Sequence, residues 1–546
     1  MKSSISRTVS ALLFLYCHSL HAADDRFPIT RFQVSGNSLL SAAELDRAVG
    51  PAIGVDKSYA DVERAIEALQ AAYRRAGYAA VHVRLPEQEL TAGVIQVIVS
   101  ETRLGAVAIT GNRYFDEANV RASLPSLRAG QAPNLPALSE SIQLANDNPS
   151  KQIEVVLASG ATEDQVDATI KVVDSSPWRI SLSADNTGSA DTGRTRLGVA
   201  LQHNNVFNRD HAATLAYTTS PDSPGGVRVS LWSVGYRLPF YTIGDSLDFL
   251  YGSSSVNTPG VTPTLGGPLG LIGKGNVASL RWNHYFVREG NFTSKLLFNI
   301  DRRYINSRCV VGGVEVSFAP PTPAISSCVP YTTIPVGVTY VGHSQKADRA
   351  LDWNVGLARN IGTGDKYTNI SGRSDRYSYL TPGNRDTRDG FMVLHGGVNL
   401  FQMFESDWQV RLAANLQLAS DPLVASEQLG LVGSTAVRGF DERVLAADGG
   451  VVLNAEVYGP ELLARHSLPG ALRLLGFVDA ARGANLRVGA SGTPSGVSVA
   501  SVGAGLRYTL ERNVQLRADA ARVLTAPSTL TARGHWKAHL GMTIGF

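Results

Sequence analysis

The chain has 546 residues, 44% of them hydrophobic and 18% charged, with a net charge of +3. That length accommodates several domains or one large barrel with appendages, and the weak charge argues against nucleic acid or an acidic substrate as a partner. Beyond residue 23 there is no run of about 18 apolar residues, which excludes a transmembrane helix from the mature chain.

Residues 1–22 read as a secretory signal peptide: Lys2 and Arg7 are basic, 9–20 is apolar, and small Ala22 stands at the cleavage point. Cys17 follows Tyr16 rather than a small residue, a departure from lipoprotein patterns, so it is expected to be cleaved away unlipidated.

Residues 27–174 carry helical patterns and an internal repeat. Phe32-Gln33-Val34-Ser35-Gly36-Asn37 recurs as Val107-Ala108-Ile109-Thr110-Gly111-Asn112, 75 positions later, the mark of a duplicated unit. Each copy opens on a strand ending in Gly-Asn, a turn signal. In the first (27–101), Ser41 and Glu44 form a capping box. A second helix is predicted over 59–75, with Val62, Ala65, Ile66, Leu69, Ala72 and Tyr73 on one face, stopped by Gly77. Strands over 80–85 and 93–100 close the unit. The second copy (102–174) predicts helices over 116–124 and 135–146 and strands over 152–157 and 165–173. Each module is therefore β-α-α-β-β. Its edge strands are either spacer surfaces or docking sites for an extended chain.

From 177 to 546 the helical period gives way to alternation. Trp536, Ala538, Leu540, Met542, Ile544 and Phe546 alternate with Lys537, His539, Gly541, Thr543 and Gly545; Trp408, Val410, Leu412, Ala414, Leu416 and Leu418 form a similar stripe. One apolar face and one polar face is what a lipid-facing barrel strand requires. About sixteen such segments are expected, an even number as in bacterial single-chain barrels. Short connections (288–290, 405–407, 511–513) alternate with long ones (256–274, 307–335, 362–390, 420–449). The fold class is thus a transmembrane antiparallel β-barrel preceded by two small α+β modules. Cys309 and Cys328 lie in one long, Pro-rich loop. An even pair in an exported chain favours a disulfide stapling that loop, and no further ligand stands nearby at metal-binding spacing.

The segment 420–449 contains Val437-Arg438-Gly439-Phe440. If Val451, Leu453, Ala455 and Val457 face lipid, Asn454 and Glu456 face the lumen; on the next strand Phe477 and Asp479 do so. Two lumenal carboxylates on adjacent strands can meet an arginine on an inward-folded loop. The alternative is that Arg438 is ordinary solvated barrel lining.

These motifs resemble those of the two-partner secretion transporters (TpsB), the haemolysin and filamentous-haemagglutinin secretion/activation proteins. Pro86-Glu87-Gln88-Glu89-Leu90-Thr91-Ala92-Gly93 is similar to that family's Pro-x-Gln-x-Leu-x-x-Gly phrase. Asn134 to Leu138 and Leu144-Ala145-Asn146-Asp147-Asn148-Pro149 resemble its Asn-x-x-x-Leu and Leu-x-Asn-x-x-Pro stretches. Val437-Arg438-Gly439-Phe440 matches its sixth-loop signature, and Phe477-Val478-Asp479 its inward-strand motif. The resemblance implies two periplasmic POTRA domains (27–101 and 102–174) and an outer-membrane barrel of sixteen strands over 177–546. It also implies a sixth extracellular loop folded into the pore, with Arg438 locked to Asp479 and Glu456. Many relatives carry a plug helix before the first POTRA domain. Here the predicted cleavage point is close to Phe27, so the sixth loop is expected to be the main occluding element.

The expected function is an outer-membrane translocator of two-partner, type V secretion in a Gram-negative cell. Its partners would be a secreted exoprotein (an adhesin, haemolysin or toxin) bound as an extended chain, outer-membrane lipid, and the barrel assembly machinery reading a C-terminal strand that ends in Phe546. The alternative is an insertase of the same superfamily that assembles other barrels; a plain porin leaves the tandem modules unexplained. No Gly-x-Ser-x-Gly, His-Glu-x-x-His or Gly-x-x-x-x-Gly-Lys-Ser/Thr motif is present, so no enzyme activity, catalytic residue, metal or cofactor is expected.

Overall fold

The computed structural model describes residues 26–546 apart from 90–92, 163, 256–259, 263–268, 272–273, 307–309, 312–313, 316–328, 369–373, 382, 465–467, 490, 512 and 528–532. The expected signal peptide and the Cys309–Cys328 pair lie outside the described residues. The chain divides into two compact bodies: residues up to Leu104 with Gly130–Asn134 and Ser159–Val166, and Gly105–Ala129 with Leu135–Ala158 and Asp167–Phe546.

In the first body, helices α1 (Ala42–Val49) and α2 (Tyr59–Arg75) pack on a sheet of β2 (Arg31–Ser35), β5 (Val94–Glu101) and β4 (Val81–Arg84), in the order β2-β5-β4 with β2 and β5 parallel. Val62, Leu69 and Tyr73 of α2 bury fully against Ile95 and Val97 of β5, the stripe expected from helical spacing. The Glu44 carboxylate accepts from Ser41 N at 2.9 Å and Oγ at 2.6 Å, and Asp61 does the same for Ser58 at 2.8 and 3.0 Å, satisfying donors that a helix start leaves unpaired. The motif residue Gln88 works as a substitute strand: its amide accepts from Gln96 N at 2.7 Å and donates to Gln96 O at 2.8 Å. The β-α-α-β-β expectation omits a second, two-stranded sheet of β1 (Phe27–Ile29) and β3 (Gly54–Lys57); strands of 3 and 4 residues are too short to show a period.

The Gly-Asn repeat has a physical cause. Gly36 has φ +84°, and a Cβ there would sit 2.1 Å from Val99 O; Gly111 has φ +83°, and its Cβ would sit 2.4 Å from Val172 O. Only glycine fits a left-handed turn pressed onto a neighbouring strand. The following asparagine closes the turn, Asn37 Nδ2 donating to Leu40 O and Asn112 Nδ2 to Phe115 O, both at 2.9 Å. A carboxylate at the end of each module then caps the turn. Glu101 accepts from Ser38 N at 2.7 Å, and Asp174 from Tyr114 N at 2.8 Å.

The second module comprises β6 (Arg103–Thr110), α3 (Glu117–Ala122), α4 (Leu135–Asn146), β7 (Lys151–Ser159) and β8 (Gln165–Asp174), its sheet ordered β6-β8-β7. The chain then enters a closed antiparallel barrel of sixteen strands, from β9 (Trp178–Asp185), β10 (Arg196–Val206) and β11 (His211–Thr219) to the terminal strand Trp536–Gly545. Each strand pairs with its sequence neighbour. The ring closes where Gly541–Gly545 of the terminal strand meet Asp185–Ser181 of β9. Phe546 extends that seam, exchanging backbone bonds with Ile180 at 2.9 and 3.2 Å while its ring stays exposed. The outer wall exposes Leu412, Leu418, Leu453, Leu474, Val478, Trp536 and Leu540. Such a surface is stable only against lipid. No described helix is long and apolar enough to cross a membrane; the crossing is made by strands.

Candidate functional site

Residues 420–448 join the strands Gln409–Ala419 and Gly449–Tyr458 and form the sixth connection at the long-loop end. Leu431 N donates to Leu445 O at 2.9 Å, and Val437 N returns to Leu431 O at 3.2 Å. The segment therefore folds back on itself. Its apolar side chains Leu431, Val432, Val437 and Phe440 are buried against Val452, Ala481, Val497, Val499 and Val523 of the barrel wall. A barrel interior is normally polar; this apolar patch on its inner face exists to receive the loop.

The apex carries Arg438, only 3% exposed. Strand register puts Asn454 opposite Asp479 and Glu456 opposite Phe477, and alternation turns all four inward. Arg438 donates to Asp479 three times: Nε to Oδ2 at 2.7 Å, Nη2 to Oδ1 at 2.8 Å and its backbone N to Oδ2 at 3.2 Å. Nη1 lies 2.8 Å from Glu456 Oε1 and 3.6 Å from Asp519 Oδ2. The guanidinium carbon stands 3.4 Å from the centroid of the Phe477 ring, a cation–π contact on a desolvated face. Asn454 Nδ2 ties the group together, donating to Asp479 Oδ1 and to Ala436 O of the loop, each at 2.8 Å. A planar fork with five N–H donors suits this bidentate arrangement where lysine does not.

Gly439 and its neighbours bind the terminal strand. Gly439 N donates to His539 Nε2 at 2.9 Å, which fixes that nitrogen as an acceptor, and Lys537 pairs with Asp441. Gly439 has φ +103°, and a Cβ there would lie 3.1 Å from Val523 Cγ2, so the motif glycine permits the loop's close approach to the wall.

A second buried pair holds the base of the same loop. Arg385, in the preceding long loop, donates to Asp448 through Nη1 at 2.5 Å and Nη2 at 3.3 Å, both side chains being 1% exposed or less. Asp448 also accepts from Leu423 N, Gln428 Nε2 and Leu486 N, each at 2.9 Å. One carboxylate thereby joins three successive long loops.

At the opposite end, the second module grips the first two short turns of the barrel. Lys151 is fully buried. Its ammonium pairs with Asp210 in the β10–β11 turn and donates to Ser123 Oγ at 2.7 Å and Asn119 Oδ1 at 2.9 Å. Burial pushes the Lys151 ammonium down from the ordinary lysine value, opposed by the Asp210 charge. Tyr241 OH donates to Asp210 Oδ2 at 2.6 Å, and Asn119 Nδ2 to Asp210 Oδ1 at 3.0 Å. The motif asparagines serve the same region: Asn146 Oδ1 accepts from Ile153 N at 2.7 Å, and Asn148 Nδ2 donates to Asn204 O at 2.8 Å.

The structure thus brings together Val437, Arg438, Gly439, Phe440, Glu456 and Asp479, while Phe546 stands apart at the seam. Asp519, His539 and Arg385–Asp448 are additions to the sequence reading. Asp519 and His539 occupy inward positions on strands whose alternation is plain, yet alternation names every lumenal residue and cannot say which ones the loop reaches. Among the described residues no group of His, Cys, Asp and Glu is arranged to hold a metal.

A sixteen-stranded barrel with a loop bound inside its lumen and two small α+β modules ahead of it is the architecture of an outer-membrane transporter. Residues 164–508 match the model of the haemolysin secretion/activation protein family ShlB/FhaC/HecB, and residues 27–102 match the ShlB-type POTRA domain. The outer membrane transporter CdiB of Escherichia coli strain 536 is 23% identical over 440 residues, covering 79% of this chain and 68% of that one. The heme/hemopexin transporter protein HuxB of Haemophilus influenzae is 21% identical over 516 residues, covering 91% and 84%. The solved structure of CdiB from Escherichia coli superposes with a TM-score of 0.68 at 20% identity, covering 97% of this chain and 92% of that one, which supports the shared fold. The chain belongs to the haemolysin secretion/activation family, the two-partner secretion transporters. It is a transporter rather than an enzyme, with its barrel in the Gram-negative outer membrane and its POTRA modules in the periplasm.

Proposed function

We propose that this transporter exports one secreted exoprotein, an adhesin, haemolysin or toxin. The POTRA modules take the client in extended form, and the sixth loop is the gate. The unfolded client adds as a strand to a module edge, where backbone bonds bind with loose sequence demand. It then threads the lumen after the loop leaves, and folding outside makes passage one-way. The observation that carries this reading is the enclosure of Arg438 by Asp479 and Glu456 on the lumenal wall. A loop held by a few charge-assisted bonds and one apolar patch has two states, bound and released, and a client can shift the balance between them. Relatives named as transporters of hemolysin and of heme/hemopexin support export of a protein client.

Depletion followed by a survey of secreted and outer-membrane proteins tests the reading. Loss of one large secreted protein, with other barrels at normal levels, is the expected result. Loss of many barrels instead identifies an assembly factor and overturns it.

A further inference from the structure

Beneath the loop apex lies a cavity of about 280 Å³ lined by Arg411, Arg438, Arg507 and Arg517, with Glu456 and the loop residue Thr435 among its other walls. Three of these arginines belong to strand segments close to the short periplasmic turns. Arg411 follows the strand start at Gln409, Arg507 precedes the strand end at Leu510, and Arg517 follows the start at Val514. The cavity therefore lies between the loop apex and the periplasmic ends of these strands.

Its charges are unevenly paired. The guanidiniums of Arg438, Arg411, Arg507 and Arg517 divide Asp479, Glu456 and Asp519 among them, and a fourth carboxylate, Glu442 of the loop, is turned to the Ser434 backbone N at 2.6 Å. Arg507 takes Asp519 in a two-pronged grip at 2.7 and 3.1 Å. Arg411 reaches Glu456 at 3.2 Å. Arg517 is left with a 3.6 Å approach to Asp519 and a 3.2 Å bond to the Ser434 carbonyl of the loop. Its side chain is about a third exposed, as is that of Arg411. The cavity thus offers guanidinium donors that are wet and incompletely matched.

We propose that this cavity binds carboxylate side chains of the travelling polypeptide and couples that binding to the gate, an inference that rests on the sixth loop being the gate. An entering Asp or Glu pairs with Arg517 and Arg411. Arg517 then gives up the Ser434 carbonyl, and Arg411 its share of Glu456. Both changes act on groups that hold the apex: Ser434 belongs to the loop, and Glu456 is the second acceptor of Arg438. Acidic residues early in the client are in this way the chemical signal that loosens the loop.

The test uses the purified full chain in detergent and a fluorescent hexaglutamate peptide, with hexaglutamine, free glutamate and inorganic phosphate as competitors. Saturable binding of hexaglutamate is expected, weakened by salt as surface-accessible charge pairs are. Hexaglutamine should not compete, and the two small anions should compete only at much higher concentration; competition by phosphate at equal concentration reduces the cavity to a general anion site and overturns the peptide assignment. Arg517→Gln should weaken binding about tenfold, the scale of one lost charge-assisted contact. Thr435→Glu, at an exposed position of the cavity wall, supplies a tethered carboxylate and should abolish binding without touching an arginine, so the outcome does not depend on one variant folding. Equal binding of hexaglutamate and hexaglutamine, or unchanged binding in both variants, overturns the proposal. Because the assay contains no client and reads no export, it can fail while the gate assignment stands, and the export assays can fail while it succeeds.

Discussion

Arg438 and Asp479 make three hydrogen bonds with each other, two through the guanidinium and one through the arginine's own backbone N–H. The third bond matters because it depends on the loop's path and not only on its side chain. A free arginine in the lumen would not reproduce it, so the pair reads loop position as well as charge.

Arg438→Ala should leave the barrel folded and release the loop. It strands Asp479, which is fully buried, and removing one partner of a buried pair costs about 3–5 kcal/mol. The cost falls on the loop-bound state, so protease cleavage within 431–447 should rise while heat-modifiable migration of the barrel is retained. Arg438→Lys keeps the charge but loses the fork and should give an intermediate result.

Lys151→Ala should loosen the second module from the barrel. Asp210 would remain buried with Tyr241 and Ser123 as donors but no cation, again a penalty of about 3–5 kcal/mol. Lys151→Met combined with Asp210→Leu removes both charges and should recover much of the loss. Limited proteolysis of α3 and β7 distinguishes the two variants.

Asp448→Asn should free the base of the sixth loop while leaving the apex bonds intact. Arg385 loses its buried counter-charge, and the bonds from Leu423, Gln428 and Leu486 weaken as their acceptor becomes neutral. Single-channel recordings should show more frequent brief openings than wild type, with a smaller effect than Arg438→Ala.

The starts of α1 and α2 should fray at low pH. Hydrogen bonds from the Ser41 side chain and backbone hold the Glu44 carboxyl below its usual range, and those from the Ser58 backbone and side chain do the same for Asp61. Carboxylates depressed in the folded state contribute stability above their unfolded values and lose it as pH falls through the folded ones. Amide protection factors in the first turn of each helix, taken relative to the unfolded chain at the same pH, should therefore fall below the ordinary carboxylate range and stay flat from there to neutrality. Glu44→Gln should remove the pH dependence at α1.

Much of this architecture was legible because it is periodic. The stripe from Val62 to Tyr73, the alternation from Trp536 to Phe546 and the Gly-Asn repeat each follow from one geometric rule, and each is found where that rule puts it. The apex of the loop was readable only because family motifs mark it; alternation does not reach Arg438, which lies in a loop, and it leaves Arg507 and Arg517 as two lumenal arginines among others. Lys151, Asp210 and Asn119 left no local trace. They meet across 59 and 91 positions of sequence, and a lone lysine opening a strand ordinarily faces water. Arg385–Asp448 was hidden for the same reason, since two loops of no regular period supply it.

The central claim, that the sixth loop must leave the lumen for the client to pass, is tested most directly by tethering it. Asp441 of the loop already pairs with Lys537 of the terminal strand, and both side chains are reachable by solvent. Export of the client should be measured in cells carrying Asp441→Cys with Lys537→Cys bridged by a reducible bifunctional thiol reagent, before and after reduction. Export blocked by the bridge and restored by reductant is the predicted result. Equal export with the bridge fully formed would contradict the account.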